Sequence, residues 1–252
     1  MCALCKIKST ITKNVILIKG YSKSDDELVL TKKMFSSYSD FFKSIAGGSY
    51  EDYEIITLNE PSVDELKILM DEKKLDFVIL VFIGHGAIQE GKQLFQLNLK
   101  EIIQAGQLEL DVDKQLIIFE SCRNNRYSIP TIDLSDKMPN YKKGGVIRIP
   151  IKKTIAKKRY EQIVLDCDKG VVVCFACSVD QEAINFYFSK ALLEISNKWH
   201  LDLRNYNQFL GIKDLMKKTS NQVSDLALRD MGEIQTPNIL GDNDFPFVIC
   251  KY

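Results

Sequence analysis

The sequence predicts an α/β fold in three layers, with about six strands in a mostly parallel sheet and helices on both faces. Three observations carry this reading. Short apolar runs recur along the chain, each bounded by glycine, proline or polar residues, as strands buried on both faces are. Helical periodicity fills most of the intervals, so strand and helix alternate. A chain of 252 residues, 45% hydrophobic and 27% charged, is also long enough to bury a sizeable core.

The elements follow in order. Asn14–Lys19 (NVILIK) is a β-branched run closed by Gly20 and reads as the first strand. From Asp25 to Ala46, Leu28, Met34, Phe35, Phe41, Phe42 and Ile45 recur at helical spacing and stop at Gly47-Gly48. Glu54–Leu58 is the second strand, and after Pro61 the pattern Ser62-x-x-Glu65 is a capping box opening a helix to about Lys73. Phe77–Ile83 is the third strand and runs into Gly84-His85-Gly86. Asn98–Ala105 reads as a short helix, and Leu116–Glu120 as the fourth strand.

From Asn124 to Lys169 no period survives, and Pro130, Pro139, Gly144-Gly145 and Pro150 punctuate the stretch. Between Lys142 and Arg159 stand eight basic residues and no acidic one, which reads as a solvated linker. Val171–Ala176 resumes the sheet as the fifth strand. Helices are expected over Gln181–Trp199 and Asn207–Leu228, and Phe245–Cys250 is the sixth strand. That last strand is expected to offer an edge on which a second copy could pair.

Charge and composition exclude several classes. Lys+Arg and Asp+Glu both number 34, so no global basic field points to nucleic acid. No apolar run approaches the roughly 18–20 residues that cross a bilayer. The stretch Met1–Lys6 lacks a long apolar core, so a cytosolic location is expected. The seven cysteines, an odd number, argue for free thiols over a disulfide framework. Cys2-x-x-Cys5 is half of a zinc spacing with no second pair, and with only two histidines no metal is expected. Cys174 and Cys177 belong to an apolar strand and read as small core residues. Neither Gly-x-Gly-x-x-Gly nor Gly-x4-Gly-Lys-Ser/Thr occurs, which removes the usual nucleotide-binding readings.

The chemistry gathers between Leu80 and Arg126. In an open parallel sheet, functional groups collect beyond the carboxyl ends of the strands. His85 stands just past the third strand and Cys122 just past the fourth, so the two meet at one sheet edge. A thiolate–imidazole nucleophilic pair needs that arrangement. His200, beside Trp199 at a helix end, reads as structural.

Gly84-His85-Gly86, Glu120-Ser-Cys122-Arg123 and Ala176-Cys-Ser-Val-Asp180-Gln181-Glu182-Ala183 together resemble the caspase-type cysteine peptidases, the clan of caspases, metacaspases and paracaspases. The resemblance runs from Asn14 to the C-terminus. The interval from His to Cys is shorter than the roughly 50 residues of caspases. Cys122-Arg-Asn-Asn-Arg126, with an acid two places before the Cys, is most similar to paracaspases and metacaspases; true caspases carry Gln at the position of Glu120. Metacaspases bind calcium through an acidic cluster after the His-Gly. Here Ala87–Phe95 holds one acid, Glu90, so no cofactor is expected and calcium activation lacks its usual ligands.

The resemblance implies a caspase-like peptidase domain over residues 14–252, with 1–13 an N-terminal extension. Within it, 14–123 resembles the large subunit, 124–169 is the basic linker and 170–252 resembles the small subunit. Cys122 is the implied nucleophile and His85 its acid–base partner, with backbone N–H groups of Gly86 and Cys122 forming the oxyanion hole. Glu120 is expected to point into the first substrate pocket, joined by Glu182, or by Asp180 if the match slips one step, and by Asp25 or Asp26. Two or three carboxylates imply a protein or peptide substrate with Arg or Lys before the scissile bond, Arg favoured by bidentate geometry. Such an enzyme could also cut its own linker, for example after Lys143 or Arg148. A catalytically idle or conditional member serving as a scaffold is the alternative.

Overall fold

The computed structural model describes residues 11–72, 75–124, 151–184 and 186–251. In chain order the elements are β1 (Lys13–Lys19), α1 (Asp25–Lys43), β2 (Ile55–Asn59), α2 (Val63–Glu72), β3 (Phe77–Ile83), β4 (Gly86–Gln89), β5 (Lys92–Gln96), β6 (Ile102–Gln104), β7 (Lys114–Glu120), α3 (Lys153–Asp166), β8 (Gly170–Phe175), α4 (Tyr187–Leu201), β9 (Phe209–Gly211), α5 (Ile212–Met231), β10 (Asn238–Leu240) and β11 (Pro246–Ile249). The central sheet has the order β10-β8-β7-β3-β1-β2. Its first five strands in sequence pair in parallel, and β10 runs antiparallel to β8.

The middles of the inner strands β1, β3, β7 and β8 are apolar because both faces are covered, and their side chains alternate between two cores. On one face Val15, Leu17, Ile79, Val81, Leu116 and Ile118 pack with Met34, Tyr38 and Phe42 of α1, Tyr160 of α3, and residues of α4, α5 and β11. On the other, Ile16, Ile18, Leu80, Phe82, Ile117 and Phe119 pack with Leu66 of α2 and with Phe95 and Ile103 of the small sheet β4-β5-β6. The capping box forms as expected. Ser62 N–H donates to Glu65 Oε2 at 2.7 Å, and Glu65 N–H returns to Ser62 Oγ at 3.2 Å.

Four readings of the sequence need correction. The helix expected over Asn98–Ala105 is instead the strand β6, where Ile103 is buried between exposed Ile102 and Gln104, a period of two. It closes a meander whose hairpin turns at Glu90 and Gly91, both with positive φ (51° and 74°), the backbone that a right-twisted two-residue turn requires. The linker contains α3: Ala156, Tyr160 and Val164 form a narrow buried stripe, while Lys157 pairs with Glu54 at 2.8 Å.

The C-terminal helices start later than expected, α4 at Tyr187 after Phe186 at φ 54°, and α5 at Ile212 after β9. Finally, the C-terminal strand β11 is not an edge of the central sheet. It pairs antiparallel with β9, is buried along its length, and its Ile249 N–H is taken by Ala46 O at 2.9 Å. The sheet's edge on that side is β10, where Leu240 is exposed. Lys143 and Arg148 lie outside the described residues.

Among the described residues, no helix is long and apolar enough to cross a membrane, and no group of three or more His, Cys, Asp or Glu could hold a metal ion.

Candidate active site

Strand register places His85 and Cys122 at one rim of the sheet. β3 and β7 pair from Phe77↔Lys114 to Ile83↔Glu120, and Gly84 N–H extends the ladder to Glu120 O at 3.2 Å. His85 and Cys122 each lie two residues past the last pair, at the carboxyl rim of adjacent central strands. Gly86 has to be glycine for packing reasons. A Cβ there would sit 2.8 Å from Cys122 O and 2.9 Å from Ser121 Cβ, closer than folded chains tolerate.

The Cys122 segment is clamped to the turn after β8. Arg123 N–H donates to Gln181 O at 3.0 Å, Asp180 N–H donates to Arg123 O at 2.9 Å, and Ala183 N–H points at Cys122 Sγ from 3.4 Å. Gln93 Nε2 of β5 donates to Cys122 O at 3.2 Å.

His85 has a partner that sequence reasoning missed. Its Nε2 lies 2.8 Å from Glu27 Oε1, off the line of an aligned hydrogen bond. Both side chains are buried. Glu27 sits in the first turn of α1, whose N-cap Ser24 accepts its N–H at 3.2 Å, and Glu27 Oε2 accepts Lys23 N–H at 2.8 Å. Burial pushes the Glu27 carboxyl upward, but the His85 contact and the Lys23 N–H outweigh it and hold the group below the usual carboxylate range. Asp25 and Asp26, expected near the pocket, are exposed. The available signal was Ser24-x-x-Glu27, a capping-box pattern that marks Glu27 as the third residue of the helix.

Glu120 is buried, 2% exposed, on the helix-covered face of β7. Its Oε2 accepts Ser189 N–H at 2.8 Å and also the Ser189 hydroxyl, which contacts Tyr38 Oη at 2.8 Å. Ser189 is in the first turn of α4, where N–H groups lack helical partners and the dipole favours an anion. Among the described residues, Glu120 Oε1 has no hydrogen-bond partner. Burial raises this carboxyl to about 7, and the Ser189 donors offset part of that cost.

Cys122 is 4% exposed, and burial pushes its thiol up to about 11. Ala183 N–H works the other way, while the charges of Glu182, Glu120 and Glu27 all disfavour the thiolate. Arg123, the adjacent cation, does not neutralise them. Its guanidinium lies over the Phe175 ring at 3.9 Å and reaches Gln93 Oε1 (3.2 Å) and Asn238 Oδ1 (3.4 Å), tying β5, β8 and β10 together. Of the two acids weighed after β8, Glu182 is half-buried, its charge acts on Cys122, and it accepts Asn124 Nδ2 at 2.8 Å. Asp180 is exposed at a turn with φ 63°. His200 is structural in its contacts, with Nδ1 against Ile249 O.

No family model matches the sequence, and no curated protein matches it. Solved structures do. Caspase-1 from Spodoptera frugiperda matches with a TM-score of 0.52 at 12% identity, over 94% of this chain and 90% of that one. The Drosophila initiator caspase Dronc matches with a TM-score of 0.54 at 11% identity, over 96% and 85%. At such identities the likeness is one of fold, and the fold is caspase-like.

Proposed function

We propose that the protein is a cysteine endopeptidase that cleaves after basic residues, most similar in its pocket to paracaspases and metacaspases. The caspase-like fold supports the peptidase class. The observation that carries the specificity is Glu120, a buried carboxylate held by neutral donors, with one oxygen unpaired among the described residues and a charge that acts on Cys122. A buried anion with an empty bonding site is costly until a cation meets it. An arginine side chain of the substrate supplies that cation, with Glu182 as a second carboxylate.

In the proposed reaction Cys122 Sγ attacks the scissile carbonyl as a thiolate, and backbone N–H groups at Gly86 and Cys122 receive the oxyanion. The C–N bond breaks as His85 protonates the leaving amine, and water then hydrolyses the thioester. No cofactor enters this scheme. The sheet edge at β10 is the surface where a second copy could pair.

A second reading has one observation in its favour. A thiol pushed up to about 11 is not poised by itself, so the site is conditional and needs substrate or partner to become reactive. The test is a fluorogenic peptide panel with Arg, Lys or Asp before the scissile bond, run with and without calcium. Turnover after Arg and Lys, lost in Cys122→Ala, supports the proposal; turnover after Asp alone overturns it.

A further inference from the structure

Resting on that reading of His85 and Cys122, we propose that Glu27 is a positioning residue that makes the pair a Cys122–His85–Glu27 triad. Its carboxylate occupies Nε2 of the imidazole, leaving Nδ1 as the nitrogen that serves the thiol. The geometry is specific. Glu27 Oε1 is 2.8 Å from His85 Nε2, and both groups are buried. The contact is off-axis here, and catalytic hydrogen bonds commonly align only once substrate is bound.

The carboxylate is held by Lys23 N–H at Oε2, while Ser24 touches only the backbone N–H of Glu27, as the cap of α1. One carboxylate oxygen accepts a main-chain N–H, and the other faces the imidazole at 2.8 Å. A neutral imidazole carries its proton on only one nitrogen. An acceptor at Nε2 fixes that proton there and leaves Nδ1 free to take the thiol proton. The same carboxylate stabilises the imidazolium that forms when the proton moves, so Sγ–H breaks and Nδ1–H forms with the positive charge against Glu27. This offsets the repulsion that Glu27 itself exerts on the thiolate.

Glu27→Gln is the informative change because it keeps size and removes one acceptor. An amide has a single carbonyl oxygen. If that oxygen keeps the Lys23 N–H, the amide NH2 faces His85 Nε2 and forces the opposite tautomer. The chain has only two histidines, so 15N-histidine labelling gives two imidazoles to assign, with His200 as internal reference.

The wild type is expected to show His85 as the Nε2–H tautomer, and Glu27→Gln to shift it toward Nδ1–H. Alkylation of Cys122 by iodoacetamide at neutral pH should slow about 10–100-fold, by analogy with the loss of a carboxylate partner from a metal-bound histidine. Ser24→Ala is the control: it weakens the same helix start but leaves the carboxylate. It should lower thermal stability without moving the tautomer or the alkylation rate. If Glu27→Gln leaves both readouts unchanged, or if Ser24→Ala moves them equally, Glu27 is only a helix cap and the inference falls. Neither readout uses a peptide. A coupled pair without peptide turnover would therefore sink the peptidase reading and leave this inference standing.

Discussion

Glu120→Gln should make the protein more stable and less active, and the size of the first effect follows from the structure. Glu120 holds its proton in the folded state up to about pH 7, against an ordinary value of 4.5. Between those values the folded state binds more protons than the unfolded chain, so stability falls as pH rises through the window. The shift converts, at about 1.4 kcal/mol per unit, to roughly 3 kcal/mol of destabilisation once the group is ionised. Glutamine mimics the protonated carboxyl and escapes that cost.

In urea melts, the variant's advantage over wild type should grow from under about 1 kcal/mol near pH 5 to about 3 kcal/mol near pH 8.5. Using the difference between the two proteins cancels every other titrating group. Over the same change, kcat/KM on substrates with a basic residue before the scissile bond should fall by about 30-fold or more, as expected when one member of a buried charge pair is removed. Parallel stability profiles for the two proteins would refute the argument. So would a variant that is stabilised yet still cleaves after Arg at the wild-type rate, because Glu120 would then not face the substrate.

Further outcomes follow from the same site. For wild type, KM for a P1-Arg substrate should rise as pH drops below about 7, because Glu120 regains its proton and the pocket loses a charge; steady-state kinetics with a neutral P1 residue as control reads this out. Gly86→Ala forces a methyl group to within 2.8 Å of Cys122 O, so thermal melts should show a loss of about 1–3 kcal/mol and cleavage should drop at least tenfold.

What the sequence revealed and what it hid divide along physical lines. β3, β7 and β8 were legible because strands covered on both faces must be continuously apolar, and His85 and Cys122 followed from where those strands end. The Ser62-x-x-Glu65 cap was legible because it depends on four local residues. α3 was hidden because Ala156, Tyr160 and Val164 are a thin stripe in a lysine-rich helix, and part of its anchoring comes from the distant Glu54. The C-terminus was misread because an apolar run does not say which strand it will join. Phe245–Cys250 looks like a sheet strand, but the short Asn238–Leu240 fills that place. Glu27 was missed because Asp25, Asp26 and Glu27 are successive acids about 100° apart on a helix. Which one turns inward depends on the exact cap residue, the least certain quantity in sequence reading.

The central claim is that Cys122 is a nucleophile beside a pocket that selects a cation. The direct test is to expose the protein to peptidyl acyloxymethyl ketones bearing Arg or Asp next to the warhead, then map the adduct by intact mass and peptide sequencing. The account predicts one adduct, on Cys122, with the Arg reagent, absent in His85→Ala and strongly weakened in Glu120→Gln. Labelling of Cys122 by the Asp reagent alone, or adducts only on other cysteines, would contradict it.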